Sequence, residues 1–496
     1  MPRPELSIPR QGPPRMRVPV DRVSWADAPL PTVERKIAEP LATVPPELNE
    51  AVARAVARVR VGEGDSSGLE DLPATTVIAP ERVASSFTPD SPATWEEAGI
   101  EPSVAEGIAL RLLLGAGRAS GRKIAGELCL PLRLVQDVMN RLKSTKLVVH
   151  VGTDALGDFV SELSDGGRER ALMSRQVTTW VGSAPVPWAQ YLAAVGAQGL
   201  ARRQVRMPDL QRAFADLSLS EDLCDRLGPA IAAARPLFLF GEPGNGKTSI
   251  AERITRCYGD DVWIPHVLDI EGHLVKLYDP AIHELSADQG KGADKRWVRI
   301  KRPTVVAGGE LTLDMLDLGF DPATHVGEAP LQLKASCGTF LVDDFGRGKT
   351  SPKELLNRWI FPLEKGIDFL ALPDGRKVDV PFTCMLVLST NLEPRDLADE
   401  AFFRRIPYKV HVGDPHEDEF IALLELLAGK MGVALPRGSA KYLVERHYKL
   451  PKRAMRFCHP RDLLLQVDHL CRYTGAPLSA GPPEWDRVVA NYFGLA

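Results

Sequence analysis

The chain has 496 residues, 44% of them hydrophobic and 25% charged, with a formal net charge of −4. That length exceeds one ordinary core, so two or three domains are expected, and the near-neutral charge argues against wholesale coating of nucleic acid. The seven cysteines (Cys129, Cys224, Cys257, Cys337, Cys384, Cys458 and Cys471) are scattered without a C-x-x-C pair, which speaks against a disulfide framework or a zinc cluster.

No apolar run approaches the roughly 18 residues of a membrane span. The Met-Pro-Arg-Pro-Glu start has no apolar segment behind it, so no secretion signal is read. The expectation is a cytoplasmic protein without membrane insertion. Residues 1–95 are rich in Pro, Arg, Ala and Ser and nearly free of apolar periodicity. Such a segment buries too little surface to offset its ordering entropy, so it is expected to be disordered. Within it, Pro46–Val61 has helical apolar spacing, read either as a transient linker helix or as a docking segment.

Residues 96–175 read differently. Val104–Leu114 has helical spacing, Ser120 is placed to cap a second helix running to about Cys129, and a third helix gathers Leu134, Val135, Val138, Met139 and Leu142 on one face. Two strand-like stretches follow, Lys146–Val151 and Asp158–Leu163, separated by a Gly-Thr-Asp turn. Three helices and a two-stranded wing resemble a winged helix-turn-helix. The third helix exposes Arg133, Gln136, Asn140, Arg141 and Lys143, residue types that reach phosphates and base edges if the domain meets DNA. The alternative is the solvated face of a protein-contact domain, which Asp137 and the acidic wing favour. Residues 176–206, with Trp180, Pro185, Pro187 and Trp188, read as an ordered connector.

From Met207 a helical stretch with Leu210, Phe214, Leu217 and Leu223 leads to the strand Leu237–Phe240. Directly after it comes Gly241, Glu242, Pro243, Gly244, Asn245, Gly246, Lys247 and Thr248, with Ser249 opening a helical run. This satisfies G-x-x-x-x-G-K-[ST] in the strand-loop-helix context the motif requires. Gly244 and Gly246 let backbone N–H groups approach phosphates, and the helix N-terminus adds positive potential. Lys247 is expected to reach the β- and γ-phosphates of ATP, and the Thr248 hydroxyl to meet Mg²⁺. Thr339–Asp344 supplies a buried strand ending in two carboxylates. Asp343 is read as a Mg²⁺ ligand and Asp344 as the residue that orients or deprotonates the attacking water. A third strand, Thr383–Asn391, ends in an amide suited to the γ-phosphate or the lytic water, although Asn is also a common turn former. Arg404 and Arg405 precede the strand Tyr408–Val412, and Arg461 opens an amphipathic helix.

Taken together these elements resemble the AAA+ ATPases over about residues 207–496. The resemblance implies an α/β P-loop fold, a three-layer αβα parallel sheet over residues 207–412, with an α-helical lid over 413–496. It implies a ring, usually of six subunits, with ATP between neighbours. On it Asn391 is sensor 1 and Arg461 is sensor 2, contacting phosphate from the lid. Arg405, with Arg404 as fallback, is the finger that reaches the adjacent subunit's ATP, a contribution worth about 10³–10⁵ in rate. Two features depart from the family. Asp344 stands where glutamate is usual, and about 95 residues separate Thr248 from Asp343, so an insertion is inferred at about 270–330. Within it, Trp297, Arg299 and Lys301 share one strand face, suited either to an acidic substrate or nucleic acid, or simply to solvent. The run Glu328–Asp344 is similar to MoxR-type and enhancer-binding ATPases. Leu355–Glu364 with Leu372–Arg376 is similar to chaperone-like bacterial ATPases that carry an N-terminal winged helix. The implied function is ATP-driven remodelling of a protein client. The alternatives are a DNA-associated regulatory ATPase and a nucleotide-gated scaffold that hydrolyses little.

Overall fold

The computed structural model describes residues 87–259, 261–397 and 403–494. Most of the expected tail, Pro46–Val61 included, lies outside the described residues. Its last stretch is ordered rather than tail-like. Phe87 lies 5.6 Å from Trp297, ring to ring, Asp90 bridges Ala293, and Thr94 caps a helical turn at Trp95–Ala98. Two aromatic anchors with a surface to sit on outweigh the average composition of the segment around them.

The first helical unit comprises α1 (Pro102–Ala116), β1 (Arg118–Ser120), α2 (Gly121–Leu128), α3 (Leu132–Ser144), β2 (Val148–Thr153), β3 (Phe159–Leu163) and α4 (Asp165–Val177). Ser120 caps α2 by accepting the Lys123 N–H, and all five apolar residues expected on one face of α3 are buried. The three strands form an antiparallel sheet in the order β1-β3-β2. Buried Arg111 of α1 donates to Ser174 Oγ at 2.5 Å and to the Trp180 carbonyl at 2.8 Å, fixing α4 and the following chain against α1.

Beyond it run β4 (Val186–Pro187), α5 (Trp188–Gln198), α6 (Met207–Ala213), α7 (Glu221–Ala232), β5 (Leu237–Phe240), α8 (Lys247–Ile254), β6 (Val262–Pro265), β7 (Val267–Ile270) and β8 (His273–Lys276). They are followed by β9 (Trp297–Ile300), β10 (Thr304–Ala307), β11 (Gly319–Asp321), β12 (Val326–Glu328), β13 (Thr339–Val342), α9 (Pro352–Lys365), the hairpin β14 (Ile367–Ala371) and β15 (Lys377–Pro381), β16 (Met385–Thr390) and β17 (Tyr408–His411). Five strands make an all-parallel sheet in the order β10-β13-β16-β5-β17. Alternation along each strand feeds two cores. Leu237, Leu239, Leu341 and Val387 pack with Leu227, Ile231, Ile250 and Ile254 of α7 and α8. Phe238, Phe340, Leu386 and Leu388 pack with Leu355, Leu356 and Trp359 of α9. Helices therefore cover both faces, which is why these strands read as unbroken apolar runs.

The inferred insertion at 270–330 needs redrawing. Strand β10, inside those bounds, is an edge of the parallel sheet and pairs with β13 from Thr304↔Thr339 to Ala307↔Val342. Within the expected connector, β4 joins the mixed sheet β11-β12-β8-β7-β4 and α5 packs on it through Tyr191 and Val195. Trp297 is buried rather than on an open face, Arg299 pairs with Asp288 at 3.0 Å, and Lys301 pairs with Glu284. The cationic side chains expected on that strand are thus already compensated. At its start, buried Arg296 holds Asp294 at 2.8 Å and donates to the carbonyls of Ala98 and Pro185, joining three chain segments.

The C-terminal helices are α10 (Glu417–Met431), α11 (Ser439–Val444), α12 (His459–Thr474) and α13 (Pro482–Tyr492). They share one core of Phe420, Leu424, Leu443, Leu463, Val467 and Trp485.

Candidate functional site

Parallel pairing of β5, β13 and β16 brings the C-terminal ends of three strands to one edge of the sheet, where α/β folds place ligands. The loop after β5 turns sharply into α8. Gly246, at φ 81°, is the residue before the helix, and a Cβ added there would meet nothing within 4 Å. The backbone needs glycine's left-handed conformation at that point, and the space beside it stays open.

Lys247 is 6% exposed, and its ammonium donates to the carbonyls of Gly241 and Glu242, each at 2.9 Å, and to Asn391 Oδ1 at 2.5 Å. Burial pulls its pKa below the usual lysine range, while the carboxylates of Asp343 and Asp344 oppose that shift. The Thr248 hydroxyl donates to Asp343 Oδ2 at 2.8 Å, and Asn391 Nδ2 donates to Asp344 Oδ1 at 3.3 Å. Asp344 has a left-handed backbone at φ 48°, which turns the chain immediately after the strand-end Asp343. Residues from three separate strand ends thus interlock around one point.

That point opens into a cleft of about 1040 Å³, whose lining also includes Pro243, Gly244, Asn245 and Ser249. The lining also carries Leu217, Leu219 and Leu223 and, from α10, Leu423 and Leu427. Arg461 lines the cleft from the first turn of α12, with a 66% exposed side chain paired to Asp462 at 3.1 Å. Arg404 and Arg405 do not line the cleft of their own chain. Arg404 is exposed, and Arg405 donates to Glu364 Oε2 of α9 at 3.1 Å.

The loop is also gripped by residues outside the expected set. Asn245, 3% exposed, donates to Asp414 Oδ1 at 2.7 Å and accepts the Phe457 N–H at 3.4 Å. The Cys458 N–H donates to the Gly244 carbonyl at 2.9 Å, and Arg456 reaches both Asp414 and Glu242, the latter at 3.2 Å. The run Arg456–Cys458 precedes α12 in a non-helical stretch, where no periodicity or spacing rule points to it. The only cue in the sequence is its closeness to Arg461.

The donor set fits a nucleotide with a divalent cation. An open glycine loop at a helix start, a buried lysine and a hydroxyl–carboxylate pair suit a polyphosphate and Mg²⁺, while the lining leucines suit a planar base. Among the described residues no group of three or more His, Cys, Asp or Glu gathers into a separate metal cluster. No helix among them is long and apolar enough to cross a membrane.

Residues 416–491 match the family described as a domain of unknown function (DUF8689). No curated protein matches the chain. Among solved structures, the RuvB Holliday junction branch migration motor of Thermotoga maritima is 14% identical with a TM-score of 0.32, over 59% of this chain and 71% of its own. NtrX from Brucella abortus in complex with ADP is 14% identical with a TM-score of 0.36, over 64% of this chain and 65% of its own. The same protein in complex with ATP is 15% identical with a TM-score of 0.33, over 53% and 56%.

Proposed function

We propose that this chain is a Mg²⁺-dependent ATPase of the AAA+ type that works as a ring, shares its ATP sites between neighbouring copies and remodels a protein client. The observation that carries the ATPase reading is the interlock of Lys247, Thr248, Asp343, Asp344 and Asn391 at the mouth of one cleft. In this reading the loop N–H groups and Lys247 hold the β- and γ-phosphates. Mg²⁺ would sit by Thr248 and Asp343, where it would neutralise charge on the phosphate oxygens. Asn391, bonded to both Lys247 and Asp344, orients the water, and Asp344 accepts its proton. The leucines of 217–223 and α10 clamp the base between the α/β body and the C-terminal helices. Closure of those helices then follows the nucleotide state, and that motion is the work done on the client.

Replacing Lys247 with Ala removes the donor that reaches three oxygens. Steady-state phosphate release at protein concentrations that favour assembly should fall by roughly a hundredfold or more. A Lys247→Ala protein that releases phosphate at the wild-type rate would sink the assignment. Wild-type protein that binds ATP but releases no phosphate would favour a scaffold held by nucleotide, with Asp344 too short to activate water.

A second reading, a winged helix that brings the ATPase to DNA, draws on the exposed row Arg133, Gln136, Asn140, Arg141 and Lys143 along α3. Against it, Arg141 is paired to Glu106 at 2.9 Å and Asp137 is exposed on the same helix. We therefore favour a protein-contact role. Salt-dependent binding of duplex DNA that is lost in an Arg133→Ala/Lys143→Ala variant would reverse that preference.

A further inference from the structure

We propose that Arg456 is a positioning residue of the nucleotide site, which neutralises Glu242 and Asp414 beside the phosphate loop and pins the loop to the C-terminal helical region. The proposal rests on the nucleotide reading above and assigns a task that the resemblance gives to no residue of this segment.

Glu242 sits inside the glycine loop, and Asp414 lies just after the strand β17 that pairs with β5. Two carboxylates so close to a bound polyphosphate would repel it. The Arg456 guanidinium, with an 18% exposed side chain, contacts both: Nη2 donates to Glu242 Oε2 at 3.2 Å and Nη1 donates to Asp414 Oδ1. Its two neighbours in sequence hold the loop backbone. Phe457 N–H donates to Asn245 Oδ1, and Cys458 N–H donates to the Gly244 carbonyl. Asp414 in turn accepts from Asn245 Nδ2 at 2.7 Å. Every residue from Glu242 to Asn245 with a polar group facing this segment is thus bonded to it or to Asp414. Arg461 makes no such contact; its guanidinium is held by its own neighbour Asp462.

Stability alone does not explain this arrangement. The Glu242 side chain is 61% exposed, and an ion pair that open to solvent adds little to folding. Its value lies in the potential at the loop, where charges a few ångströms apart still interact appreciably at the effective dielectric of a protein surface.

The test is calorimetric titration of the full chain with ADP at low and high salt. Arg456→Ala should bind ADP roughly tenfold more weakly at low salt, with the difference shrinking as salt rises. Glu242→Gln alone should bind more tightly than wild type, a gain that damaged folding cannot imitate. The double variant Arg456→Ala/Glu242→Gln should return to within roughly threefold of wild type. Wild-type affinity in Arg456→Ala overturns the proposal, as does a loss that Glu242→Gln fails to rescue in a protein with an unchanged melting temperature. Lys247→Ala serves as the separate control. If it binds ADP like wild type, the nucleotide reading itself falls, whatever Arg456 does.

Discussion

Gly244 shows how tightly one residue ties backbone conformation to the site. Its φ is 87°, and a Cβ there would stand 2.6 Å from Cys458 Sγ. Gly244→Ala should therefore carry both backbone strain and a clash, costing about 1–3 kcal/mol. The expected outcome is a melting temperature several degrees lower and weaker ADP binding. Adding Cys458→Ala should recover part of the loss, because it removes the clash and leaves the strain. A Gly244→Ala protein that melts and binds as wild type would show that the loop is looser than this packing implies. Gly244 and Lys247 were legible in the sequence because the motif is contiguous and its chemistry dictates residue types. Arg456 and Asp414 were not, since their roles arise from a contact across some 40 residues and from the loop's own Glu242. Arg461, expected at phosphate, lines the cleft and pairs with Asp462.

Among the elements, α12 carries a buried titratable group whose ionisation bears on the C-terminal helices. His459 is 8% exposed at the start of α12, between the rings of Tyr448, Tyr492 and Phe493, and its Nδ1 is buried without a hydrogen-bond partner. Burial, with help from Arg456 and Arg453 and opposed by Asp462 and Asp414, lowers its pKa from 6.5 to about 4. Between those values the unfolded chain binds a proton that the folded one refuses. Stability contributed by this group is complete above pH 6.5 and is lost as pH falls toward 4. The loss should amount to roughly 2–3 kcal/mol. Urea unfolding at pH 7 and pH 4.5, compared between wild type and His459→Gln, checks it; equal pH slopes in the two proteins would exclude His459 as the source. Elements also mark the limit of reading from sequence. Helix α3 was legible because its five core residues repeat at helical spacing over 13 residues. Strands β1 and β10 were not, being three and four residues long and defined by partners elsewhere in the chain.

At the scale of the whole molecule, the cleft supplies a lysine, two carboxylates and an amide, while Arg405 stays outside it. Arg405 is instead held by Glu364 of α9 at 3.1 Å, and that carboxylate is 49% exposed. An ion pair this open is weak enough to yield to a stronger acceptor, such as the terminal phosphate in a neighbouring copy. If the site is shared between copies, Arg405→Ala should bind ADP with wild-type affinity in its own cleft, yet lose about 10³-fold or more in phosphate release. Lys247→Ala is defective in the opposite way, since it keeps Arg405 and loses its own nucleotide. Mixing the two inactive proteins should therefore restore part of the activity, because a Lys247→Ala copy can present Arg405 to the intact cleft of an Arg405→Ala copy. The recovered rate should rise with total concentration and peak near equal proportions. Mixtures that stay as inactive as their components, or an Arg405→Ala protein with wild-type turnover, would remove the shared site.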